Sequence, residues 1–295
     1  MRRQPRLRDA YKRPEARTAF GLYAANAADE DCDSNPKHGS LRRGVEKNKS
    51  IPYTNHKRNS RRNIMAEEVS MKIIAHIRSD FKEKFGIPRQ SGLVEELEAY
   101  IVFEPEYRNM DALRGLEDFS HLWIIWQFSE SVRNEWSPTV RPPRLGGNER
   151  MGVFATRSPF RPNEIGLSSV KIRKIEKHKT MGPIIHVSGA DILDGTPIFD
   201  IKPYLPHVDS RPEAKGGFAD EFKNYQLEVE IPEHWLEKIS EEKREALKGV
   251  LANDPRPSYQ HDSKRIYGMN FAGYEVRFMV EEKKVRVCEI KMQHI

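Results

Sequence analysis

Between residues 71 and 201 the apolar positions come in short runs, many alternating with polar ones, and glycine or proline marks most of the intervals. Residues 71–77 alternate weakly and begin a strand. Residues 100–103 are β-branched and aromatic, and 122–128 form a strongly strand-like cluster; 151–156, 167–175, 184–193 and 198–201 add further short strands. Pro105 can open a short helix through Leu113, stopped by Gly115. Many short strands separated by Gly/Pro turns predict a barrel or closed sheet.

Near Tyr225 the pattern changes. Leu227, Val229 and Ile231 alternate as a strand, and Pro232 then starts a helix through about Leu251. Trp235, Leu236, Ile239, Leu247, Val250 and Leu251 form its apolar stripe at helical spacing, which points to core packing for all six. Tyr274, Val276 and Phe278 pair with Val285 and Val287 as a closing hairpin, with 281–284 as its turn. The expected architecture is mainly β: a β-barrel catalytic domain over residues 67–222, then a small α+β C-terminal domain over 223–295.

Residues 1–66 share neither pattern. They are rich in Arg, Lys, Asn and Asp, poor in aliphatic residues and without periodicity, the composition of a disordered basic extension. Met65 offers an alternative start, so this stretch reads either as a solvated extension or as an upstream reading frame. Its charge changes how the whole chain is read. Residues 1–64 carry +9, which leaves residues 65–295 at −3 within a chain total of +6. A folded part that binds RNA must do so through a local patch rather than a global field.

Several chemistries have no support in the pattern. The two cysteines, Cys32 and Cys288, are far apart, and neither a disulfide framework nor a zinc spacing follows from them. No HExxH, P-loop, GxSxG or GxGxxG after a strand is present, and no apolar run approaches the ~20 residues of a membrane span. No metal and no membrane are expected, and the chain reads as cytoplasmic.

The most informative stretch is 152–168, GVFATRSPFRPNEIGLS. Two prolines stiffen it, Gly166 permits either an unusual backbone angle or a close approach, and two arginines suit a planar anion. An ordinary turn with surface arginines would share these features.

This run resembles the signature of the TsaA-like family, the class VIII tRNA methyltransferases that use S-adenosylmethionine. Other blocks match in the same order: Ile77-Arg78-Ser79 with 85–94 (FGIPRQSGLV), 115–123 (GLEDFSHLW), 136–151 (WSPTVRPPRLGGNERM), 191–206 (DILDGTPIFDIKPYLP) and 254–259 (DPRPSY). The resemblance runs from about Lys72 to the C-terminus. It implies a β-barrel homodimer that methylates N6 of threonylcarbamoyladenosine beside the anticodon, with threonine-accepting tRNA as the expected partner.

Carried over residue by residue, the resemblance places the cofactor against Pro88, Arg89 and Gln90; Ser129 and Glu130; Arg157 and Leu167; and Leu193, Asp194, Gly195 and Thr196. Gln90 suits an adenine edge, Arg89 a carboxylate, Arg157 the methionine carboxylate or a tRNA phosphate, and Asp194 ribose hydroxyls. Leu167 would form an apolar wall, although by itself it reads as core. Asp200 and Tyr204 are expected to handle the proton or orient the nucleotide, with Lys202 neutralising an anion; a structural Asp200–Lys202 ion pair is the plain alternative. Arg144, Arg161 and Asn163 complete the substrate-binding set. Arg141, Arg144 and Arg150 beside Trp136 form a basic, aromatic-edged loop that faces RNA or braces a dimer.

Two positions depart from the family pattern. Ser129-Glu130 stands where a His-Gln pair is expected, and Glu164 replaces a proline of RPNPIG. They leave two rivals to the expected activity: a non-catalytic S-adenosylmethionine- or RNA-binding module, and a methyltransferase for another small molecule or nucleoside.

Overall fold

The computed structural model describes residues 68–293, apart from 133–134, 146–148, 258–259, 261 and the side chain of Arg144. The basic extension, Met65, Cys32, Gly146-Gly147 and Tyr259 lie outside the described residues. Cys288 is a free, partly exposed thiol.

The first strands are β1 (Ala75–Ser79), β2 (Glu98–Phe103) and β3 (His121–Gln127), followed by the two-residue strands β4 (Thr139–Val140) and β5 (Met151–Gly152). β6 (Ile165–His178), β7 (Gly182–Ser188) and β8 (Pro197–Pro203) come next. Six of these close a barrel in the order β1-β2-β7-β6-β3-β8, with every neighbouring pair antiparallel. Alternation decides which side chains fill it. Leu122, Ile124 and Trp126 point inward from β3 to meet Ile77, Ile101, Val170, Ile185, Val187 and Ile198. His121, Trp123, Ile125 and Gln127 are left on the outer face.

After the barrel come the short helix α1 (Pro206–Asp209) and β9 (Glu228–Glu230). Helices α2 (Glu233–Leu236) and α3 (Glu241–Ala252) precede β10 (Tyr267–Phe271), β11 (Tyr274–Glu281) and β12 (Lys284–Met292). The second sheet has the order β10-β11-β12-β9, with β9 joining β12 in parallel. Ala246, Leu247, Val250 and Leu251 of α3 are buried with this sheet.

The same core takes in residues from a distant part of the chain. Phe81, Val94 and Leu97, with Phe85 and Ile87 partly buried, come from the β1–β2 connection and pack with Ile239, Leu247, Met269, Phe271 and Phe278. A Cβ built on Gly249 would lie 2.6 Å from Val94, so α3 sits directly on this connection. The connection carries Pro88, Arg89 and Gln90.

Several expected boundaries move. The first strand starts at Ala75 rather than 71, and the expected helix after Pro105 is two 3-10 turns, 105–107 and 110–113. Gly115 does stop them, at φ +86. The strand expected at 151–156 ends at Gly152, because Val153 C=O accepts from both Thr156 N–H (3.1 Å) and Thr156 Oγ1 (2.9 Å) and closes a tight turn. The run 184–193 leaves the sheet after Ser188, where Gly189 turns at φ +80. The long helix from Pro232 is two, since Ser240 takes extended angles before α3 begins with Glu241 and Glu242 in its first turn. Four of the six stripe residues are fully buried, with Trp235 and Leu236 partly so. α1, β4 and β10 have no counterpart in the sequence reading.

Candidate functional site

The site is organised by an incomplete seam in the barrel. β6 pairs with β7 only from Lys171 onward, and over residues 165–170 its ladder partner is β3 alone. The loop 88–92 runs along the open half-edge. Ser169 N–H donates to Ser91 Oγ (3.2 Å), and Gly92 N–H to Gly189 C=O (2.9 Å). With a two-residue period, Leu167 presents its own N–H and C=O toward the same edge. Its side chain is 54 % exposed, so the core placement that Leu167 suggests by itself is corrected: it is an apolar group on the outside of the barrel.

Three of the four expected cofactor blocks meet along this seam. Arg157 Nη1 donates to Gln90 Oε1, and Gln90 Nε2 donates to Arg89 C=O. Lys84, on the same connection as Gln90, donates to Glu130 C=O. Phe128 N–H donates to Glu164 C=O (2.9 Å), which ties the 129–131 turn to the arginine loop. At both departures from the family pattern a main-chain carbonyl, of Glu130 and of Glu164, is held by a hydrogen bond.

The fourth block, 193–196, borders β1. Gly195 turns at φ +77, and its N–H donates to Ile77 C=O (2.8 Å). The Asp194 carboxylate accepts from Ser79 N–H (3.0 Å) and Lys82 Nζ (2.6 Å), with Arg78 3.8 Å away. Two donors and a nearby guanidinium make it an anchor for this loop.

Beneath the seam lies a polar group that the sequence reading assigned no role. Trp126 Nε1 donates to Ser168 Oγ (3.0 Å), and Ser168 Oγ donates to Asp191 Oδ1 (2.6 Å). Burial pushes the Asp191 carboxyl above its ordinary range, against the opposing pull of Ser168, Arg157 and Ser91. Gly166 makes room for this arrangement: a Cβ there would fall inside the Trp126 indole. The available signal was Ser168 itself, a polar residue on the inward phase of a strand, which requires a buried partner.

The expected proton-handling residues lie two strands away. Asp200 and Leu167 are both in register with Ile125, one on either side of β3. All three face outward, which puts Asp200 about 10 Å from Leu167 across two strand spacings. Asp200 accepts from Lys202 Nζ at 2.7 Å; the pair is exposed. Tyr204 sits against Trp123 and His121, at ring distances of 5.5 and 6.2 Å, and Trp123 Nε1 donates to Asp209 of α1 (3.0 Å). Arg161 spends Nη1 on Thr156 C=O (3.1 Å) and Ser158 C=O (3.3 Å), so it closes its own loop. Asn163 is exposed. The Arg144 side chain lies outside the description.

Next to the arginine loop, Trp136 and Phe154 stack with centroids 6.2 Å apart, yet they remain 52 % and 73 % exposed. A cleft of about 150 Å³ opens beside Trp136, lined by Phe160, Arg161, Pro162 and Glu164. Among the described residues, no group of three or more His, Cys, Asp or Glu is placed to hold a metal ion.

Residues 76–210 match the tRNA-methyltransferase O N-terminal domain, and 224–293 match the TrmO C-terminal domain. The tRNA (adenine(37)-N6)-methyltransferase of Escherichia coli K12 is 43 % identical over 226 residues, covering 74 % of this chain and 96 % of that protein. The chain belongs to the tRNA-methyltransferase O family. A second member, from Pseudomonas aeruginosa and provisionally named an S-adenosylmethionine-dependent methyltransferase, is 38 % identical over 71 % of this chain and 91 % of its own. The crystal structure of TrmO from that species superposes with a TM-score of 0.64 at 32 % identity, covering 78 % of this chain and 99 % of that one. The closed barrel followed by a small sheet domain is thus the TrmO architecture.

Proposed function

We propose that this protein is a tRNA (adenine(37)-N6)-methyltransferase that uses S-adenosylmethionine and acts on threonylcarbamoylated tRNA, in the cytoplasm and as a homodimer. The observation that carries the reading is the Gln90–Arg157 contact beside the open edge of β6, which brings separate sequence blocks to one place.

The residues present fit the cofactor. The β6 edge at Leu167 offers the donor–acceptor pair that an adenine edge needs, and the Leu167 side chain offers an apolar wall. Arg157 and Arg89 suit the methionine carboxylate. Pro88 stiffens its loop; Leu193, Gly195 and Thr196 beside β1 are assigned to the cofactor through their backbone, with Asp194 holding that turn in place. Ser129 and Glu130 are assigned to the cofactor through their main chain, next to the Glu130 C=O that Lys84 holds. When bound, the cofactor supplies an electrophilic methyl group on a sulfonium sulfur.

The chain's own residues position the acceptor and manage its proton. An in-line transfer depends on a fixed, water-excluding geometry. Attachment of N6 to the threonylcarbamoyl carbonyl acidifies its proton, so a strong base is unnecessary. Asp200 is assigned to receive that proton at Oδ, with Tyr204 orienting the nucleotide and Lys202 meeting the threonyl carboxylate or a phosphate. Arg144, Arg161 and Asn163 are assigned to the RNA side. There the exposed Trp136–Phe154 stack provides π-faces of the kind that hold unstacked loop bases.

The test supplies the full chain with labelled S-adenosylmethionine and matched tRNAs with and without threonylcarbamoyladenosine. Label is expected only in the modified tRNA. Label in both would overturn the substrate assignment, and label in neither, with the cofactor still bound, would favour a binding module.

A further inference from the structure

The turn that follows α3 plays no part in the site as described so far. Asp254 adopts φ +52, a left-handed conformation that a non-glycine residue holds only when its surroundings enforce it. Arg256 does so with a two-pronged contact, Nε to Oδ1 at 2.8 Å and Nη2 to Oδ2 at 2.9 Å, and Tyr225 donates its hydroxyl to Oδ2 at 3.0 Å. The two charged side chains are only 14 % and 10 % exposed. Burial opposes the charge on Asp254, but the Arg256 fork and the Tyr225 hydroxyl outweigh it and hold the carboxyl below its ordinary range.

This arrangement has an effect beyond the turn. With the Arg256 side chain committed to Asp254, its main-chain carbonyl accepts from Arg89 Nη2 (3.2 Å). Arg89 C=O in turn accepts from Gln90 Nε2, and Gln90 Oε1 accepts from Arg157 Nη1. The contacts run without a gap from the C-terminal domain to the arginine loop. α3, whose end leads into Asp254, already presses on Val94 of the same connection.

We propose that the Asp254–Arg256 turn is a positioning element for the cofactor loop: it fixes the Arg256 carbonyl, which holds Arg89 and sets the orientation of the Gln90 amide. The C-terminal domain thereby tunes affinity for the methyl donor from outside the pocket. The proposal rests on the assignment of residues 88–90 and Arg157 to the cofactor.

The test is a double-mutant cycle on the full chain, with S-adenosylmethionine affinity read by titration calorimetry and thermal midpoint read in parallel. Asp254→Asn is expected to weaken binding about tenfold, within the range of couplings between contacting residues. In an Arg89→Ala background the same change should add nothing further. Arg256→Lys retains the charge but not the planar fork, so it should weaken binding as well, and it carries the test if Asp254→Asn does not fold. A purely structural role would lower the midpoint and leave the affinity of the folded protein unchanged, or would give additive losses; either result overturns the proposal. If Arg89→Ala and Gln90→Ala leave affinity unchanged, the cofactor assignment of the loop fails. If they weaken it and neither Asp254→Asn nor Arg256→Lys does, only the positioning proposal fails.

Discussion

Gly166 and Asp191 show how single residues shape this site. Gly166 is required by a close approach rather than by an unusual backbone angle, since the Trp126 indole occupies the space a Cβ would need. Gly166→Ala should therefore cost about 1–3 kcal/mol, the usual penalty for overpacking, and urea unfolding would measure it. A neutral result would mean that Trp126 is free to move away. Asp191 makes a prediction in pH. Its folded carboxyl is raised by burial, so the folded state binds more protons than the unfolded one between the ordinary carboxylate range and the raised value. Stability contributed by this group is present at low pH and lost as pH rises through that window. Asp191→Asn should accordingly gain stability relative to wild type as pH increases from about 3 to 7. A difference in unfolding free energy that does not change with pH would show that Asp191 is not the group responsible.

At the scale of elements, Phe154 stacks against Trp136 beside the β4–β5 ribbon with both side chains largely exposed, on the turn that leads into Arg157. Phe154→Leu keeps an apolar side chain but loses the π-face. If the ribbon stacks a loop base, KM for tRNA should rise by roughly tenfold, in keeping with the ~1–3 kcal/mol of one base–aromatic stack, while S-adenosylmethionine affinity stays the same. If leucine supports full tRNA affinity, or if Phe154→Ala converts a dimer to a monomer on light scattering, the ribbon is a protein contact instead. The sequence singled out Trp136 and the arginines of this segment, but not Phe154, which it assigned to a strand. The reason is local: the Val153–Thr156 hydrogen bonds that turn Phe154 outward are not visible in an apolar run.

For the molecule as a whole, the β1–β2 connection makes the two sheets interdependent. Phe81, Val94 and Leu97 leave the barrel and are buried in the core of the C-terminal sheet. Residues 65–222 expressed alone should expose them and lack a single cooperative unfolding transition, whereas residues 65–295 should unfold in one step followed by circular dichroism in urea. A stable, cofactor-binding barrel without the C-terminal residues would refute this dependence. No helix among the described residues is long and apolar enough to cross a membrane.

The sequence by itself determined the β-rich character, the positions of β2, β3, β8 and the closing hairpin, and, through the order of its blocks, the family. Those features rest on local alternation and on residue identity, which are written along the chain. Only the tertiary structure decided that β6 lacks a β7 partner over residues 165–170, that Leu167 is exposed, and that Asp191 meets Ser168 across the barrel interior. It also decided that Arg89 is held by a carbonyl 167 positions away. Each of these depends on contacts between segments far apart in sequence, and no periodicity within a single segment can encode which distant group will stand opposite it.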